Sequence, residues 1–406
     1  MRIIIQKFGG TSVATAESRQ QVVRKVQQAI EKGYAPIVVV SAMGRKGAPY
    51  ATDTLIALAK DVYADVASRE LDQIMHCGEL ISSIVMTSTL QAAGVQAKAL
   101  TGGQAGMVTN EDFCNAHILK VDTCRLRREL EAGFVPVVCG FQGMSANGEI
   151  TTIGRGGSDT SAAAFGAALD AELVEIYTDV DGIMTADPRI VKQAKMLECI
   201  SYEEVCQLAH QGAKVIHPRA VELVMPKNIP MVIKSTFSDN PGTLITHVTQ
   251  ECTDGVALSD RVASGVTYLP HIAHVKVAMD AAKTGTASKD VFQAMAQHGI
   301  SVDLINVHPG QIMFTVADAM REKAQKYLQE LGLQVETRED CAMVSVVGGG
   351  MGEVPGVMAS FVEALAENDI MILQTVDSQT SISVLVQGTQ MVEAVTALHE
   401  KFALAD

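Results

Sequence analysis

The segment PIVVVSAMG at residues 36–44 decides the fold, because five consecutive apolar residues lead directly into a loop of small residues. A strand that is apolar on both faces needs cover on both faces, which is typical of a parallel sheet between helices. Further β-branched runs lie at 135–143 (VPVVCGFQG) and 173–182 (LVEIYTDVDG), and the first strand is expected at 3–6. Helical patterns separate these runs, so residues 1–240 are predicted to form an α/β domain with a mostly parallel sheet.

Composition restricts the classes of function. With 406 residues, of which 48% are hydrophobic and 19% charged, the chain is globular and long enough for more than one domain. The net charge of −14 argues against a nucleic-acid partner. The N-terminal MRIIIQKFGG becomes polar too early for a signal peptide, and no apolar run approaches the ~18 residues that span a bilayer. The eight cysteines have no CxxC spacing, so no metal site is expected. We therefore expect a cytoplasmic protein without a membrane partner.

The C-terminal part contains an internal repeat. VFQAMAQHGISVDLINV from position 291 overlays FVEALAENDIMILQTVD from position 361 without a gap. Each copy is read as a strand, a helix, two strands in a hairpin and a second helix, which is a ferredoxin-like α+β pattern. Two small related domains behind an enzyme-sized domain more often sense a ligand than catalyse. The expected boundaries are a catalytic domain at 1–240, a linker at 241–265, and small domains at 266–338 and 339–406.

The first polar motif, IIIQKFGGTSV at residues 3–13, joins a strand to a loop with two glycines. Glycine N–H groups can approach an oxygen anion closely, and Lys7 adds a mobile positive charge, so the motif suits a nucleotide phosphate. Lys7 precedes the glycines, which differs from a Walker A loop. An ordinary strand-to-helix turn is the alternative interpretation.

The second motif, TTIGRGGSDTSAAAFGAALDA at residues 151–171, is more specific. Its apolar residues recur at helical spacing, which predicts a helix that starts near Ser158 or Asp159. Arg155, between glycines, can offer a bidentate fork to a carboxylate or a phosphate. The alternative is that Ser158 or Asp159 is a plain helix cap and that Arg155 forms a surface ion pair.

Three further segments carry polar residues that suit a site. YTDVDGIMTADPR at 177–189 ends a strand and continues into a charged loop, and GAKVIHPRA at 212–220 supplies Lys214 at the end of a helix. HCGELISSIVM at 76–86 places Glu79 just inside a predicted helix start. There Glu79 would either cap the helix or bind an amine.

The motifs together carry a family resemblance. KFGGTSV, VVVSAMG, GEL, TIGRGGSDTSA, TDVDGIMTADPR and GAKVIHPR occur in the order found in the amino acid kinase family, and the whole chain resembles the monofunctional aspartokinases. SAMGRKGAPYATD and GIMTADPR make it most similar to the diaminopimelate-sensitive type of Bacillus-like bacteria. The resemblance implies an α/β three-layer sandwich of the amino acid kinase type, followed by two ferredoxin-like ACT domains. It also implies ATP-dependent phosphorylation of the side-chain carboxylate of L-aspartate, which gives 4-phospho-L-aspartate for lysine, diaminopimelate, threonine and methionine synthesis.

The same resemblance implies roles for individual residues. The expected catalytic residues are Lys7 and Asp159. The expected aspartate-binding residues are Thr52, Glu79, Arg155 and Ser158. The expected ATP-binding residues are Lys7, Phe8, Gly9, Gly10, Ser41, Thr178, Asp179, Met184, Asp187, Arg189 and Lys214. Met184 stands where many aspartokinases have a tyrosine. Mg²⁺ is expected to enter with ATP, held largely by phosphate oxygens and water.

The ACT pair is expected to bind an end-product amino acid, which is lysine, threonine or meso-diaminopimelate, and to inhibit. The expected effector residues are Ile305, Asn306, Val307, Gln374, Thr375 and Asp377. The second copy contains the turn VPGV at 354–357, whereas the first copy has TGTA at 284–287. A homodimer or larger homo-oligomer is expected. The alternatives are a catalytically silent amino-acid sensor and a related kinase for another small acid.

Overall fold

The computed structural model describes residues 1–213, 215–247, 262–352 and 354–405. These residues belong to two compact units. The first unit takes its described residues from 1–183, 196–209 and 215–247, and the second takes them from 184–195, 210–213, 262–352 and 354–405. No helix in this part of the chain is both long enough and apolar enough to cross a membrane.

The first unit combines strands and helices along the chain, as predicted for an α/β domain, although two groups of three strands follow one another without an intervening helix. Its strands are β1 (Arg2–Phe8), β2 (Tyr34–Val40), β3 (Ala97–Leu100), β4 (Met107–Thr109), β5 (Ile118–Val121), β6 (Val135–Cys139), β7 (Gln142–Ser145), β8 (Ile150–Thr152), β9 (Leu173–Thr178), β10 (Cys199–Ser201), β11 (Met231–Ser235) and β12 (Thr243–Thr246). Its helices are α1 (Gly10–Val13), α2 (Ala16–Glu31), α3 (Thr52–Lys60), α4 (Ser68–Ala92), α5 (Cys124–Glu131), α6 (Gly157–Leu169), α7 (Tyr202–His210) and α8 (Pro218–Val224).

The large sheet of this unit has the strand order β10-β12-β11-β9-β1-β2-β6-β3. Its neighbouring strands run parallel except for the antiparallel pair of β11 and β12, so the predicted mostly parallel sheet is confirmed. Strand β1 lies between β2 and β9, with Lys7 opposite Val39 on one side and Ile176 on the other. The carboxyl ends of these three strands therefore meet at one edge, where ligands bind in open α/β sheets.

Helices cover both faces of the large sheet. Val38 and Val40 pack into one apolar cluster with residues of α2 and α4. On the opposite face α6 approaches β9 so closely that a Cβ added at Gly166 would lie 2.6 Å from the Val174 side chain. Because successive residues of a strand point to opposite faces, the complete burial of β2 from Ile37 to Val40 follows from this double cover.

A smaller sheet of four strands, in the order β5-β4-β7-β8, belongs to the same unit. Strands β7 and β8 form an antiparallel pair in which Gln142 is opposite Thr152. The chain then passes directly from β8 through residues 153–156 into α6. We call residues 153–156 the arginine loop, since they contain Arg155.

The second unit contains the predicted repeat. Its strands are β13 (Gly265–Ala278), β14 (Asp303–His308), β15 (Gln311–Ala317), β16 (Gln334–Val347), β17 (Gln374–Asp377) and β18 (Ser381–Gln387). Its helices are α9 (Thr284–Gln297), α10 (Arg321–Glu330), α11 (Val357–Ala366) and α12 (Met391–Lys401). Each copy thus has the order strand, helix, strand, strand, helix.

The two copies share one six-stranded sheet, in the order β14-β15-β13-β16-β18-β17. The long strands β13 and β16 pair at its centre, which makes the first strand of each copy the junction between them. Strands β14 and β17 are the two edges of this sheet. The side-chain amide of Gln374 on β17 donates a hydrogen bond to the backbone carbonyl of Leu304 on β14. The repeat therefore forms one continuous sheet across both copies.

The structure differs from the expected boundaries at three places. The first residues of the expected linker form β12, which extends the large sheet beside β10 and β11. The expected limit at 338/339 falls inside β16. Segment 184–195 also groups with the second unit, because Ala186 and Val191 are buried in that unit's apolar core.

Candidate active site

A cavity of about 290 Å³ lies at the carboxyl ends of β1 and β2. It combines residues from the strand ends, from the first turns of α3 and α6, and from α4. Eight residues predicted from the sequence line it: Lys7, Gly10, Ser41, Thr52, Glu79, Arg155, Ser158 and Asp159. The structure therefore brings these eight residues, from five separate motifs, to one place.

Lys7 and Asp159 form an ion pair inside this cavity. The Lys7 Nζ lies 2.6 Å from Asp159 Oδ1, and the two side chains are only 11% and 14% exposed. Lys7 is the next-to-last residue of β1, and Asp159 lies in the first turn of α6. Because solvent screens such a pair weakly, Asp159 holds the ammonium group in one position rather than leaving it mobile.

Helix α6 begins differently from the prediction. The sequence indicated a start at Ser158 or Asp159 with one of them as the cap, but the helix begins at Gly157, and no side chain caps it. The cap position is Gly156, whose φ of 69° is a left-handed conformation that glycine adopts without strain. A Cβ there would also lie 2.4 Å from the His217 side chain. Gly157, Ser158 and Asp159 line the cavity, so the first turn of α6 places the positive dipole end of the helix beside it.

Glu79 also lies in a different place from the prediction. It was expected just inside a helix start, but α4 begins at Ser68 and places Glu79 near its middle, so capping is excluded. Gly78, the residue before Glu79, is a helix-interior glycine where a Cβ would come within 2.9 Å of the Ala42 side chain, so it permits close packing of α4.

The Glu79 carboxyl is nearly completely buried and only half satisfied. It is 2% exposed, and its Oε1 accepts a hydrogen bond of 3.0 Å from the Ala42 N–H. Its Oε2 has no hydrogen-bond partner among the described residues. Burial raises the pKa of Glu79 to about 8, although the Ala42 N–H acts in the opposite direction. An unpaired, buried carboxyl oxygen in a cavity is an acceptor for a cationic ligand group.

Arg155 is the exposed positive group of the cavity. It forms no hydrogen bond or ion pair with any residue that the structure describes. Its fork is therefore free to bind an anion, in contrast to Lys7. The alternative that Arg155 is part of a surface ion pair has no support in the described residues.

Other predicted nucleotide residues lie next to the cavity or apart from it. The Phe8 side chain is fully buried and stacks on Tyr177, and the Gly9 N–H donates to the Tyr177 carbonyl at 3.2 Å. Thr178 ends β9, and Asp179 forms an ion pair with Arg45. The latter pair was not predicted, since nothing in the local pattern connects the two segments.

The remaining nucleotide residues lie in the second unit or outside the described residues. Asp187 accepts a bidentate interaction from Arg189 and a 2.9 Å hydrogen bond from the Tyr268 hydroxyl. The Arg189 guanidinium holds the pKa of Asp187 down, to about 2. Met184 lies in the same segment, and Lys214 lies outside the described residues.

Comparison with protein-family models and curated relatives gives the family. Residues 2–235 match the amino acid kinase family, and residues 336–400 match an ACT domain. The chain is 48% identical over 408 residues to aspartokinase 1 of Bacillus subtilis, with 100% of both chains covered. The chain belongs to the aspartokinase family.

Further relatives and solved structures agree. An aspartokinase of Geobacillus stearothermophilus is 39% identical and covers 100% of this chain and 98% of its own length. Aspartokinase III of Escherichia coli, solved with aspartate and ADP, superposes with a TM-score of 0.80 at 25% identity, covering 98% of this chain and 99% of that one. The aspartokinase of Clostridium acetobutylicum, at 21% identity and a TM-score of 0.78, shares the fold over 98% and 100% of the two chains. Like other aspartokinases, this protein is an ATP-using phosphotransferase with a carboxyl acceptor, and it carries a regulatory ACT domain.

Proposed function

We propose that the cavity is the active site in which the γ-phosphoryl group of ATP passes to the side-chain carboxylate of L-aspartate. One observation carries the assignment of the site: a single cavity contains a fixed cation at Lys7, a free cation at Arg155 and a buried, unpaired carboxyl oxygen at Glu79. Arg155 and Glu79 suit a carboxylate and the ammonium group of aspartate, and Lys7 suits the negative charge of the transferred phosphoryl group.

The chemistry requires positioning and charge neutralisation rather than a base. A carboxylate with an ordinary pKa near 4 is already ionised at neutral pH, so the nucleophile needs no deprotonation. Two anions must instead be brought together, and the negative charge of the transferred phosphoryl group must be stabilised. Lys7 supplies that stabilisation, and Asp159 keeps its ammonium group in place.

The recognition of aspartate follows from the same groups. Arg155 binds a carboxylate of aspartate through its fork, and Glu79 accepts from the ammonium group through Oε2. Thr52 and Ser158, which line the cavity, contribute hydroxyls. The N–H groups of Gly10 and of the first turn of α6 face the phosphates.

Mg²⁺ and the location of the protein belong to the same proposal. Among the described residues, no group of three or more His, Cys, Asp or Glu side chains is arranged to hold a metal ion. We infer that Mg²⁺ enters bound to the phosphates of ATP and keeps several water ligands. Since the reaction consumes ATP, we propose that it takes place in the cytoplasm.

The test is a trapping assay. The full-length protein is incubated with L-aspartate, MgATP and hydroxylamine, which converts an acyl phosphate into a hydroxamate. Hydroxamate formation that depends on both substrates is expected. Its absence, together with binding of an amino acid by calorimetry, would instead support a catalytically silent sensor, and greater activity with glutamate would indicate a kinase for another acid.

Arg155→Lys tests recognition of the substrate carboxylate. A lysine keeps the charge but loses the bidentate fork, so KM for aspartate is expected to rise roughly tenfold or more while KM for ATP changes little. Steady-state kinetics with each substrate varied in turn measures both constants. Arg69→Lys, an exposed arginine outside the cavity, is the control. An unchanged KM for aspartate in Arg155→Lys would remove the assigned role.

The regulatory ligand is proposed to bind at the two edge strands of the six-stranded sheet. The expected effector residues lie on β14 and β17, where Ile305 and Val307 are 46% and 47% exposed and Gln374 is buried. Exposed apolar residues on an edge strand also suit pairing with a second copy, so we propose a homodimer.

The trapping assay with lysine, threonine and meso-diaminopimelate, added singly and together, identifies the inhibitor. Loss of inhibition in Gln374→Ala would support the site, and unchanged inhibition would contradict it.

A further inference from the structure

Asp72 is a buried carboxylate that the proposed mechanism does not use. It is completely inaccessible to solvent and lies on α4, seven residues before Glu79. Its Oδ1 and Oδ2 accept from the Cys114 N–H at 3.0 and 3.1 Å, and Oδ2 accepts from the Thr152 N–H at 2.9 Å. The Thr152 hydroxyl donates to Oδ1 at 2.5 Å. Neutral donors, rather than a cation, therefore surround this buried carboxyl group.

These bonds completely fix the residue at the start of the arginine loop. Thr152 is the last residue of β8 and is fully buried. Its N–H and its hydroxyl donate to Asp72, and its carbonyl accepts from the Ala116 N–H at 2.9 Å. All of its polar groups are thus occupied, and Arg155 follows only three residues later.

The arginine loop itself is also held, at its first residue by Arg219 and at Gly156 by His217. The Arg219 guanidinium on α8 donates to the Ile153 carbonyl at 3.1 Å and to the Ala116 carbonyl at 3.3 Å. Gly156 packs against the His217 side chain, where a Cβ would come within 2.4 Å. The backbone on both sides of Arg155 is therefore held by the protein, although the Arg155 side chain itself is exposed.

Helix α4 connects this loop to the other end of the cavity. Asp72 and Glu79 are separated by seven residues, which is two helical turns and about 10 Å along the axis. One residue binds the backbone just before the arginine loop, and the other lines the cavity with an Oε2 that has no partner among the described residues. A helix is stiff over two turns, so it holds the base of the arginine loop at a fixed distance from Glu79.

We propose that Asp72 is a positioning residue that sets the length of acidic substrate the cavity accepts, by fixing the arginine loop to the helix that carries Glu79. This inference rests on the proposed roles of Arg155 and Glu79. When Arg155 holds the side-chain carboxylate and Glu79 holds the ammonium group, a loop kept at a constant distance from Glu79 favours aspartate over glutamate, which is one methylene longer. A loop that is held less firmly is expected to discriminate less between aspartate and glutamate.

The experiment compares Asp72→Asn with the wild type. An asparagine turns an N–H₂ group toward N–H donors, so at least one bond to Thr152 or Cys114 is lost. We expect KM for aspartate to rise about 10- to 100-fold, as for other misplaced binding groups. We also expect the ratio of kcat/KM for aspartate to that for glutamate to fall, with KM for ATP unchanged. Glu129→Gln, which changes a buried carboxylate on α5 away from the cavity, is the matched control and is expected to keep the wild-type ratio.

Two Thr152 variants separate positioning from general destabilisation. Thr152→Ser keeps the hydroxyl donor and is expected to keep the substrate ratio, whereas Thr152→Val removes it and is expected to behave like Asp72→Asn. If Asp72→Asn and Thr152→Val lower the melting temperature but leave the aspartate-to-glutamate ratio at the wild-type value, the proposal is wrong. A failure of the proposed function is distinguishable, because the wild-type protein would then phosphorylate no aspartate at all.

Discussion

Replacement of Lys7 by alanine is expected to lower kcat by roughly 10²- to 10³-fold, the usual cost of removing a group that stabilises transition-state charge. The fold should survive, because Lys7 lies at the end of β1 and its Nζ contacts Asp159 in the cavity rather than the apolar core. KM for aspartate should change much less than kcat, since Lys7 is assigned to the phosphoryl group. Trapped hydroxamate, measured at saturating substrates, gives kcat.

Asp159→Asn completes this prediction. The amide cannot hold the Lys7 ammonium group by charge, so kcat is expected to fall in the same direction but by less. Lys32→Ala, an exposed lysine that forms no ion pair with the described residues, is the matched control. Wild-type kcat in Lys7→Ala, with the control also unchanged, would refute the assigned role.

Glu79→Gln is expected to raise KM for aspartate by roughly 10- to 100-fold, because a charge-assisted hydrogen bond to the substrate ammonium group is lost. The amide keeps the size of the side chain and can still accept from the Ala42 N–H. KM for ATP should stay near its wild-type value. Initial rates with each substrate varied in turn check both constants.

The same variant makes a prediction about pH and activity. Burial raises the pKa of Glu79 to about 8, so the carboxyl is largely protonated in the free enzyme at neutral pH. It must lose that proton to accept from an ammonium group. We therefore expect wild-type kcat/KM for aspartate to rise with pH up to about 8 and then to level off, a rise that Glu79→Gln should lack.

The pH dependence of folding stability has the opposite sign to the pH dependence of activity. A carboxyl whose pKa rises from 4.5 in the unfolded chain to about 8 in the folded protein binds more protons when folded, so folding stability falls as pH rises between these values. Glutamine does not titrate, so Glu79→Gln lacks this loss of folding stability with rising pH. Its melting temperature relative to that of the wild type should therefore increase from pH 5 to about pH 8 and then stay constant. A constant difference across that whole range would contradict the raised pKa.

Local patterns were enough to predict much of the fold. The apolar run at 36–40 predicted a strand buried on both faces, and β2 is buried on both faces. The repeat predicted two copies of one strand and helix order, and both copies have it. Such patterns are readable because burial of a regular element imposes its own period on the sequence.

The errors occurred where packing overrides a local signal. Glu79 was expected just inside a helix start, but it lies near the middle of α4, which passes so close to Ala42 that position 78 has no room for a side chain. Ser158 and Asp159 indicated a cap, but Gly156 takes that position in a left-handed conformation. In both cases a residue outside the segment decided the local structure.

The burial of Asp72 near the candidate site could not be predicted from its own segment either. Nothing in its own segment, SRELDQIM, distinguishes it from a polar residue on an exposed helix face. Its partners are Cys114 and Thr152, from two other segments. A buried carboxylate is recognisable only when the donors that surround it are known.

The sequence by itself determined the α/β class of residues 1–240, the internal repeat with its strand and helix order, the family and most of the residue types in the cavity. Only the tertiary structure decided that Lys7 meets Asp159, that the Glu79 Oε2 is left without a partner, and that segment 184–195 joins the core of the second unit. The physical reason is that the period of apolar residues encodes which face of an element is buried. It does not encode which distant side chains share that buried space, since sheet order and helix length set those distances.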